Sequence, residues 1–109
     1  MAVVSNRPKP IEDIVARLGL SEVMDFTLAA GEVDLWKPDP ALLLYAASVA
    51  GVDPREAVYV GDSYDADVVC ARSAGMLPVL VDPRALFPEA DCPVIAAIGE
   101  LPQVLKVSV

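Results

Sequence analysis

Short apolar runs punctuate this 109-residue chain at intervals of some twenty to thirty residues. The runs are rich in β-branched residues and are bounded by glycine, proline or polar residues, which is the pattern of buried β-strands. Four of them predict strands, at residues 2–4, 26–29, 57–60 and 78–81. A further short strand is predicted between Pro93 and Ile98.

Amphipathic or apolar segments between these runs predict helices. The clearest extends from Pro10 to Leu18, where apolar residues recur at i, i+3, i+4 and i+7 and Gly19 marks the end. A second helix is predicted from the cap Asp39 and Pro40 to Ala50, after a loop at residues 31–38. It is apolar on more than one face, which favours burial or contact with a partner. The remaining helices are predicted at residues 65–74 and, as a single turn, 101–105.

Strands that alternate with helices predict an α/β fold with a parallel sheet and right-handed crossovers. The length allows one domain, residues 1–109. No internal repeat, low-complexity tract or linker interrupts it.

Composition and charge exclude several classes of function. The net charge is −8 and the eight basic residues are scattered, so nucleic-acid binding is not expected. Without histidine, Ser-His and Cys-His catalysis and a Cys/His zinc site are excluded, and Cys70 and Cys92 are expected to be buried apolar residues. The longest uncharged run, residues 40–52, is too short to cross a bilayer. Because the start of the sequence does not resemble a secretory signal, a cytoplasmic location is expected.

Polar residues follow the predicted strands where ligands gather in open parallel sheets, at the carboxyl ends. Serine can donate to a phosphoryl oxygen, lysine can offset its charge, and carboxylates can hold Mg²⁺. Each residue also has an ordinary explanation: a turn for Ser5-Asn6, a surface lysine for Lys37, helix caps for the aspartates. The candidates are Ser5, Asn6, Lys37, Asp62 and Asp67, with Asp65 a helix cap or a solvated neighbour.

The order and spacing of these residues resemble motifs two, three and four of the haloacid dehalogenase superfamily. The matching segments are Val3-Val4-Ser5-Asn6, Lys37-Pro38-Asp39-Pro40, residues 58–67 and residues 71–76. The resemblance is close over residues 2–82 and implies a three-layer, Rossmann-like core. It further implies Mg²⁺-dependent hydrolysis of a small phosphorylated metabolite: Ser5 and Asn6 bind the phosphoryl group, Lys37 stabilises it and the nucleophile, and Asp62 and Asp67 serve Mg²⁺.

One element of the superfamily is missing from this sequence. Its members begin with a strand that ends in Asp-x-Asp, whose first aspartate attacks phosphorus and whose second is the general acid and base. Residues 65–67 have the sequence Asp-Ala-Asp, but they lie at the start of a predicted helix and not at the end of a strand, so they are rejected as this motif. The core is therefore expected to lack its central first strand, between the strands at residues 2–4 and 57–60, and to lack a cap domain.

The missing strand leaves both the oligomeric state and the activity open. Two unpaired inner edges predict a homo-oligomer, a strand-exchanged dimer or aggregation. The chain is either a fragment of an enzyme, truncated or split and inactive alone, or a non-catalytic module that binds phosphate or a partner. A receiver domain is disfavoured because the strand end at Ser5-Asn6 supplies neither the acidic pair nor the acceptor aspartate that such a domain needs.

Overall fold

The computed structural model describes residues 1–101, which form two parallel β-sheets. The strands are β1 (Ala2–Ser5), β2 (Phe26–Ala29), β3 (Val58–Gly61), β4 (Leu77–Val81) and β5 (Val94–Ile95). In the first sheet β1 pairs with β2, and Val3 lies opposite Thr27. In the second sheet β4 lies between β3 and β5. The four main strand predictions are confirmed to within a residue, and the fifth strand is shorter than predicted.

The helices connect these strands and mostly agree with the sequence pattern. They are α1 (Glu12–Arg17), α2 (Ala30–Val33), α3 (Ala41–Ala50) and α4 (Val69–Ser73). None of the helices within residues 1–101 is long and apolar enough to span a bilayer. The turn predicted at 101–105 lies outside the described residues, apart from Leu101.

Two helical segments differ from the prediction. Helix α2 lies partly in a segment predicted to be a loop; the Glu32 carboxylate accepts the Ala29 N–H at 2.7 Å and so caps this short helix. The helix predicted at residues 65–74 begins as a π-helical turn, Tyr64–Val68. This turn is wide because the Ser63 carbonyl accepts both the Asp67 and the Val68 N–H, at 2.9 and 3.3 Å.

Helices lie on both faces of the first sheet. On one face, Val15 of α1 packs with Val3 and Ala29. On the other face, Leu42 of α3 packs with Leu28. Successive side chains of a strand point to opposite faces, so Val3 packs towards α1 and Val4 towards α3. The α/β fold predicted from the sequence pattern and the three-layer architecture implied by the family resemblance are confirmed.

Helix α3 holds the two sheets together. Leu42 and Ala46 pack under the first sheet, whereas Leu43 and Ala47 pack with α4 under the second. The apolar character on more than one face is thus largely explained by burial against two sheets. Part of it stays exposed, at Leu44, Tyr45 and Val49.

Strands β1 and β3 face one another without pairing. Within residues 1–101 no strand lies between them, and all four residues of β3 are only half-buried. The hydroxyl of Tyr59 on β3 lies 3.4 Å from the Val4 carbonyl oxygen on β1, so a side chain spans the gap. The core is therefore incomplete in its middle, as expected from the absent first strand.

Candidate active site

The candidate residues gather at the carboxyl ends of β1 and β3. Ser5 is the last residue of β1, Gly61 is the last residue of β3, and Asp62 follows it directly. Lys37 comes from the segment between α2 and α3. Because the strands of each sheet are parallel, these ends meet at one edge of the fold, as in other open α/β sheets.

Lys37 is the centre of this arrangement. Its side chain is 10% exposed, and its ammonium donates to Asp67 Oδ1 at 2.8 Å and to the Tyr59 hydroxyl at 2.7 Å. The ammonium also lies 5.2 Å from the centroid of the Tyr59 ring. Burial lowers the pKa of Lys37, but the hydrogen bonds that its ammonium donates to Asp67 and Tyr59 outweigh this effect and raise the pKa above its usual 10.5. Lys37 is thus a fixed cation at neutral pH.

Asp67 holds Lys37 and the turn after β3 in one place. While Oδ1 accepts the Lys37 ammonium, Oδ2 accepts the backbone N–H groups of Asp62 and Ser63, at 3.1 and 3.0 Å. The residue is 6% exposed. A Cβ atom at Gly61 would overlap the Asp67 carboxylate, so only glycine allows this approach. The three hydrogen bonds give Asp67 the role of a positioning residue.

The two aspartates differ in what they can offer a metal ion. A carboxylate has about four acceptor sites, so Asp67 retains about one. Asp62 is exposed, and among the hydrogen bonds of residues 1–101 its carboxylate takes part in none. Within this part of the chain, no three acidic, cysteine or histidine side chains are arranged so that they could hold a metal ion together. One or two carboxylates with water and phosphate oxygens suit Mg²⁺, so the residues present fit this ion.

Asn6 binds the protein's own backbone. Its side-chain amide donates to the Lys37 carbonyl at 3.1 Å, and its Oδ1 accepts the Lys37 N–H at 2.8 Å. The pair fixes the backbone from which the Lys37 side chain extends. The sequence analysis predicts that Asn6 binds the substrate, and this role stays a prediction. The contacts that Asn6 makes in the structure are those of a positioning residue.

Ser5 keeps a free donor. Its Oγ accepts the Arg7 N–H at 3.3 Å and donates to no group within residues 1–101, so the hydroxyl proton is available for a ligand. The segment after Ser5 is held against α2, where the Gly31 N–H donates to the Arg7 carbonyl at 3.0 Å. A Cβ atom at Gly31 would overlap the Pro8 carbonyl, so glycine permits this contact.

Sequence reasoning missed Tyr59 and Ser63. Tyr59 stands among valines in a run that predicts a buried strand, but its hydroxyl reaches Lys37. Burial raises the pKa of Tyr59 above its usual 10, so its hydroxyl stays protonated at neutral pH. Ser63 caps the following turn, where its Oγ accepts the Ala66 N–H at 3.2 Å. A tyrosine inside an apolar run is the sequence signal that could have identified Tyr59, because a buried tyrosine hydroxyl needs a hydrogen-bond partner.

Comparison with known proteins agrees with the geometry. The family model described as haloacid dehalogenase-like hydrolase matches residues 1–81. The haloacid dehalogenase-like hydrolase domain-containing protein 3 of Bos taurus is 40% identical over 89 residues, covering 81% of this chain and 36% of the relative. A phosphoserine phosphatase of Thermus thermophilus is 46% identical over 71 residues, covering 65% of this chain and 28% of the relative. The chain thus spans about a third of the length of these curated relatives.

A solved structure extends the similarity to almost the whole chain. The crystal structure of a 2-haloacid dehalogenase from Pseudomonas syringae superposes with a TM-score of 0.86 at 34% identity. The match covers 99% of this chain and 46% of that protein. Sequence and architecture therefore point to the same family.

Proposed function

The chain belongs to the haloacid dehalogenase-like hydrolase family, and we propose that it forms the phosphoryl- and Mg²⁺-binding part of a phosphatase for small phosphorylated metabolites. The observation that carries this proposal is the Lys37 ammonium, fixed by Asp67 and Tyr59 at the carboxyl edge of the sheets. A buried ammonium group held in one orientation suits the dianionic phosphoryl group. The similarity to a phosphoserine phosphatase supports the same class of substrate.

Each residue has a part in binding. The free hydroxyl proton of Ser5 donates to a phosphoryl oxygen, and Lys37 offsets the phosphoryl charge. The Asp62 carboxylate and the remaining acceptor site of Asp67 hold Mg²⁺. When bound, the ion neutralises and orients the phosphoryl group. Asn6 contributes by keeping the Lys37 backbone in place.

The nucleophile comes from a strand that fits between β1 and β3. We propose that this strand ends in Asp-x-Asp at the same edge as Ser5 and Asp62. The first carboxylate attacks phosphorus while the ester P–O bond breaks, and the second aspartate gives the leaving alcohol its proton. Water then hydrolyses the aspartyl-phosphate, releasing phosphate and restoring the carboxylate. This chain alone lacks that step and is expected to be inactive.

The same open edges suggest how the isolated chain behaves. The unpaired main-chain groups of β1 and β3 can pair with another copy, so we propose a homo-oligomer or a strand-exchanged dimer. Sedimentation at several concentrations tests the association, and a concentration-independent monomer would contradict it.

Complementation tests the proposed activity. A synthetic peptide with an apolar strand ending in Asp-x-Asp is mixed with the chain and Mg²⁺, and hydrolysis of p-nitrophenyl phosphate is followed. We expect activity only in the mixture. Lys37→Ala and Asp62→Asn should each lower the restored rate by about a hundredfold or more. Asp65→Asn removes an exposed carboxylate two residues from Asp67 and should be nearly silent.

Two results would redirect the assignment. Restored rates that are unchanged in both Lys37→Ala and Asp62→Asn would reject these site residues. The second candidate function is a non-catalytic module that binds phosphate. The preorganised Lys37 supports this function as well as it supports the phosphatase. That candidate predicts binding of inorganic phosphate with no rescue by the peptide.

Dehalogenation is the remaining reaction to test. The structural similarity to a 2-haloacid dehalogenase suggests dehalogenation as an alternative reaction. The Gly61-Asp62-Ser63 segment, with its exposed carboxylate, instead favours phosphate esters as substrates. The complemented mixture should release phosphate from p-nitrophenyl phosphate and no chloride from 2-chloropropionate. Chloride release without phosphatase activity would reverse the choice.

A further inference from the structure

Tyr59 occupies a position that links the two sheets. It lies on β3, is half-buried, and packs against the core cluster that contains Leu43 and Cys70. Its ring therefore points towards the layer of α3 and α4. From there its hydroxyl reaches both Lys37 and the backbone of β1.

The hydrogen bonds of the Tyr59 hydroxyl have a fixed direction. The Lys37 ammonium has only protons to give, so the hydroxyl oxygen accepts at 2.7 Å. The hydroxyl proton is then directed towards the Val4 carbonyl oxygen, 3.4 Å away. The phenol thus forms a chain of contacts from Lys37 to β1.

The same geometry sets the direction of the remaining Lys37 proton. An ammonium group has three N–H donors. Asp67 takes one of them and Tyr59 takes another. Within residues 1–101 no other group accepts the third N–H, which is left for a ligand, and its direction is fixed because the other two are held.

We propose that Tyr59 is a positioning residue of this site, whose hydroxyl orients the Lys37 ammonium so that one N–H is presented to a phosphoryl oxygen. The phosphoryl part of this inference rests on the proposed function. The orientation of Lys37 by Tyr59 does not depend on it. The two can therefore be tested separately in the same samples.

The test compares Tyr59→Phe with the wild-type chain by NMR of ¹⁵N,¹³C-labelled lysine. Only three lysines contribute signals, and the exposed Lys9 is an internal reference. We expect the Lys37 ammonium protons to exchange slowly in the wild type and much faster in Tyr59→Phe. Tyr45→Phe is the matched control, since it removes a hydroxyl from an exposed tyrosine on α3.

Titration with inorganic phosphate then measures the consequence for binding. Loss of a hydrogen bond that orients a charged donor should weaken phosphate binding by about tenfold in Tyr59→Phe and leave Tyr45→Phe unchanged. Wild-type Lys37 exchange and wild-type affinity in Tyr59→Phe would overturn the proposal, even if the variant is less stable, because a purely structural residue gives that result.

Two further outcomes are informative. If the wild-type chain binds no phosphate, the proposed function of this chain fails, while the Lys37 exchange rates still decide the role of Tyr59. If Tyr59→Phe does not fold, the wild-type spectrum alone decides whether Tyr59 orients Lys37. Nuclear Overhauser contacts between the Lys37 ε-methylene and the Tyr59 ring then support the arrangement, and their absence overturns it.

Discussion

The ammonium of Lys37 and the carboxylate of Asp67 lie 2.8 Å apart, although 30 positions separate them in the sequence. Their side chains are 10% and 8% exposed. The pair connects the segment before α3 to the turn after β3, and so joins the two sheets at the edge where the candidate site lies. Pairing of buried charges demands good geometry and further hydrogen bonds, both of which Asp67 has.

Asp67→Asn should strongly destabilise the chain. The asparagine amide cannot accept from Lys37 and from the two backbone N–H groups at once, so one buried donor loses its partner. Breaking a buried ion pair from one side typically costs about 3 kcal/mol or more. Urea unfolding followed by circular dichroism measures the loss. The control Asp65→Asn makes the same charge change on an exposed side chain, and equal losses in both variants would contradict this role of Asp67.

Gly61→Ala should disturb the same contacts from the other side. The added methyl group would overlap the Asp67 carboxylate and push it away from Lys37 and from the Asp62 N–H. We expect a loss of stability of about 1–3 kcal/mol, the usual range for overpacking. Gly99→Ala is the control, because a Cβ atom there meets nothing within 4 Å. An unfolding midpoint that stays at the wild-type value in Gly61→Ala would show that Asp67 can move freely.

Much of this arrangement could be predicted from local pattern. Apolar runs located the strands, and the rule that ligands gather at the carboxyl ends of parallel strands brought Ser5, Lys37 and Asp62 to one edge. The family resemblance added the missing central strand, and the separation of β1 from β3 agrees with it.

The rest depends on contacts between distant segments. Asn6 meets the Lys37 backbone across 31 positions, and Tyr59 meets the Lys37 side chain across 22. Neither contact leaves a periodic signal, because a polar residue after a strand and a tyrosine within one both have ordinary structural explanations. Asp67 has the residue type of a metal ligand, but its three hydrogen bonds became apparent only from the geometry of the turn.

Asn6→Ala and Ser5→Ala should separate positioning from binding. Asn6→Ala removes two hydrogen bonds to the Lys37 backbone and should lower the free energy of unfolding by about 1–2 kcal/mol. Ser5→Ala removes a single 3.3 Å contact and should change stability little. Both should weaken inorganic phosphate binding in a calorimetric titration. If Asn6→Ala bound phosphate like the wild type, fixing the Lys37 backbone would be unnecessary for binding.

The two cysteines should differ in reactivity. Both are free, and burial raises the pKa of each thiol above its usual value, which reduces the reactive thiolate at neutral pH. Cys70 is 0% exposed, whereas Cys92 is half-buried. Iodoacetamide followed by mass spectrometry should label Cys92 first, and Cys70 only when urea unfolds the chain. Equal labelling of both in the folded chain would contradict the packing of Cys70, on α4, against α3.

The contribution of Lys37 to stability should persist at alkaline pH. Its folded-state pKa is raised: burial lowers the pKa, but the hydrogen bonds that the ammonium donates to Asp67 and Tyr59 raise it more. A raised pKa means that the stabilisation is fully present below the unfolded-state pKa near 10.5 and is lost as the pH rises through the folded-state value. The difference in free energy of unfolding between the wild type and Lys37→Met should therefore be constant from pH 7 to about pH 10 and shrink above it. Lys9→Met removes the same charge from an exposed side chain and should show a small difference throughout. A Lys37 contribution that disappears by pH 9 would mean that desolvation of the ammonium dominates its environment.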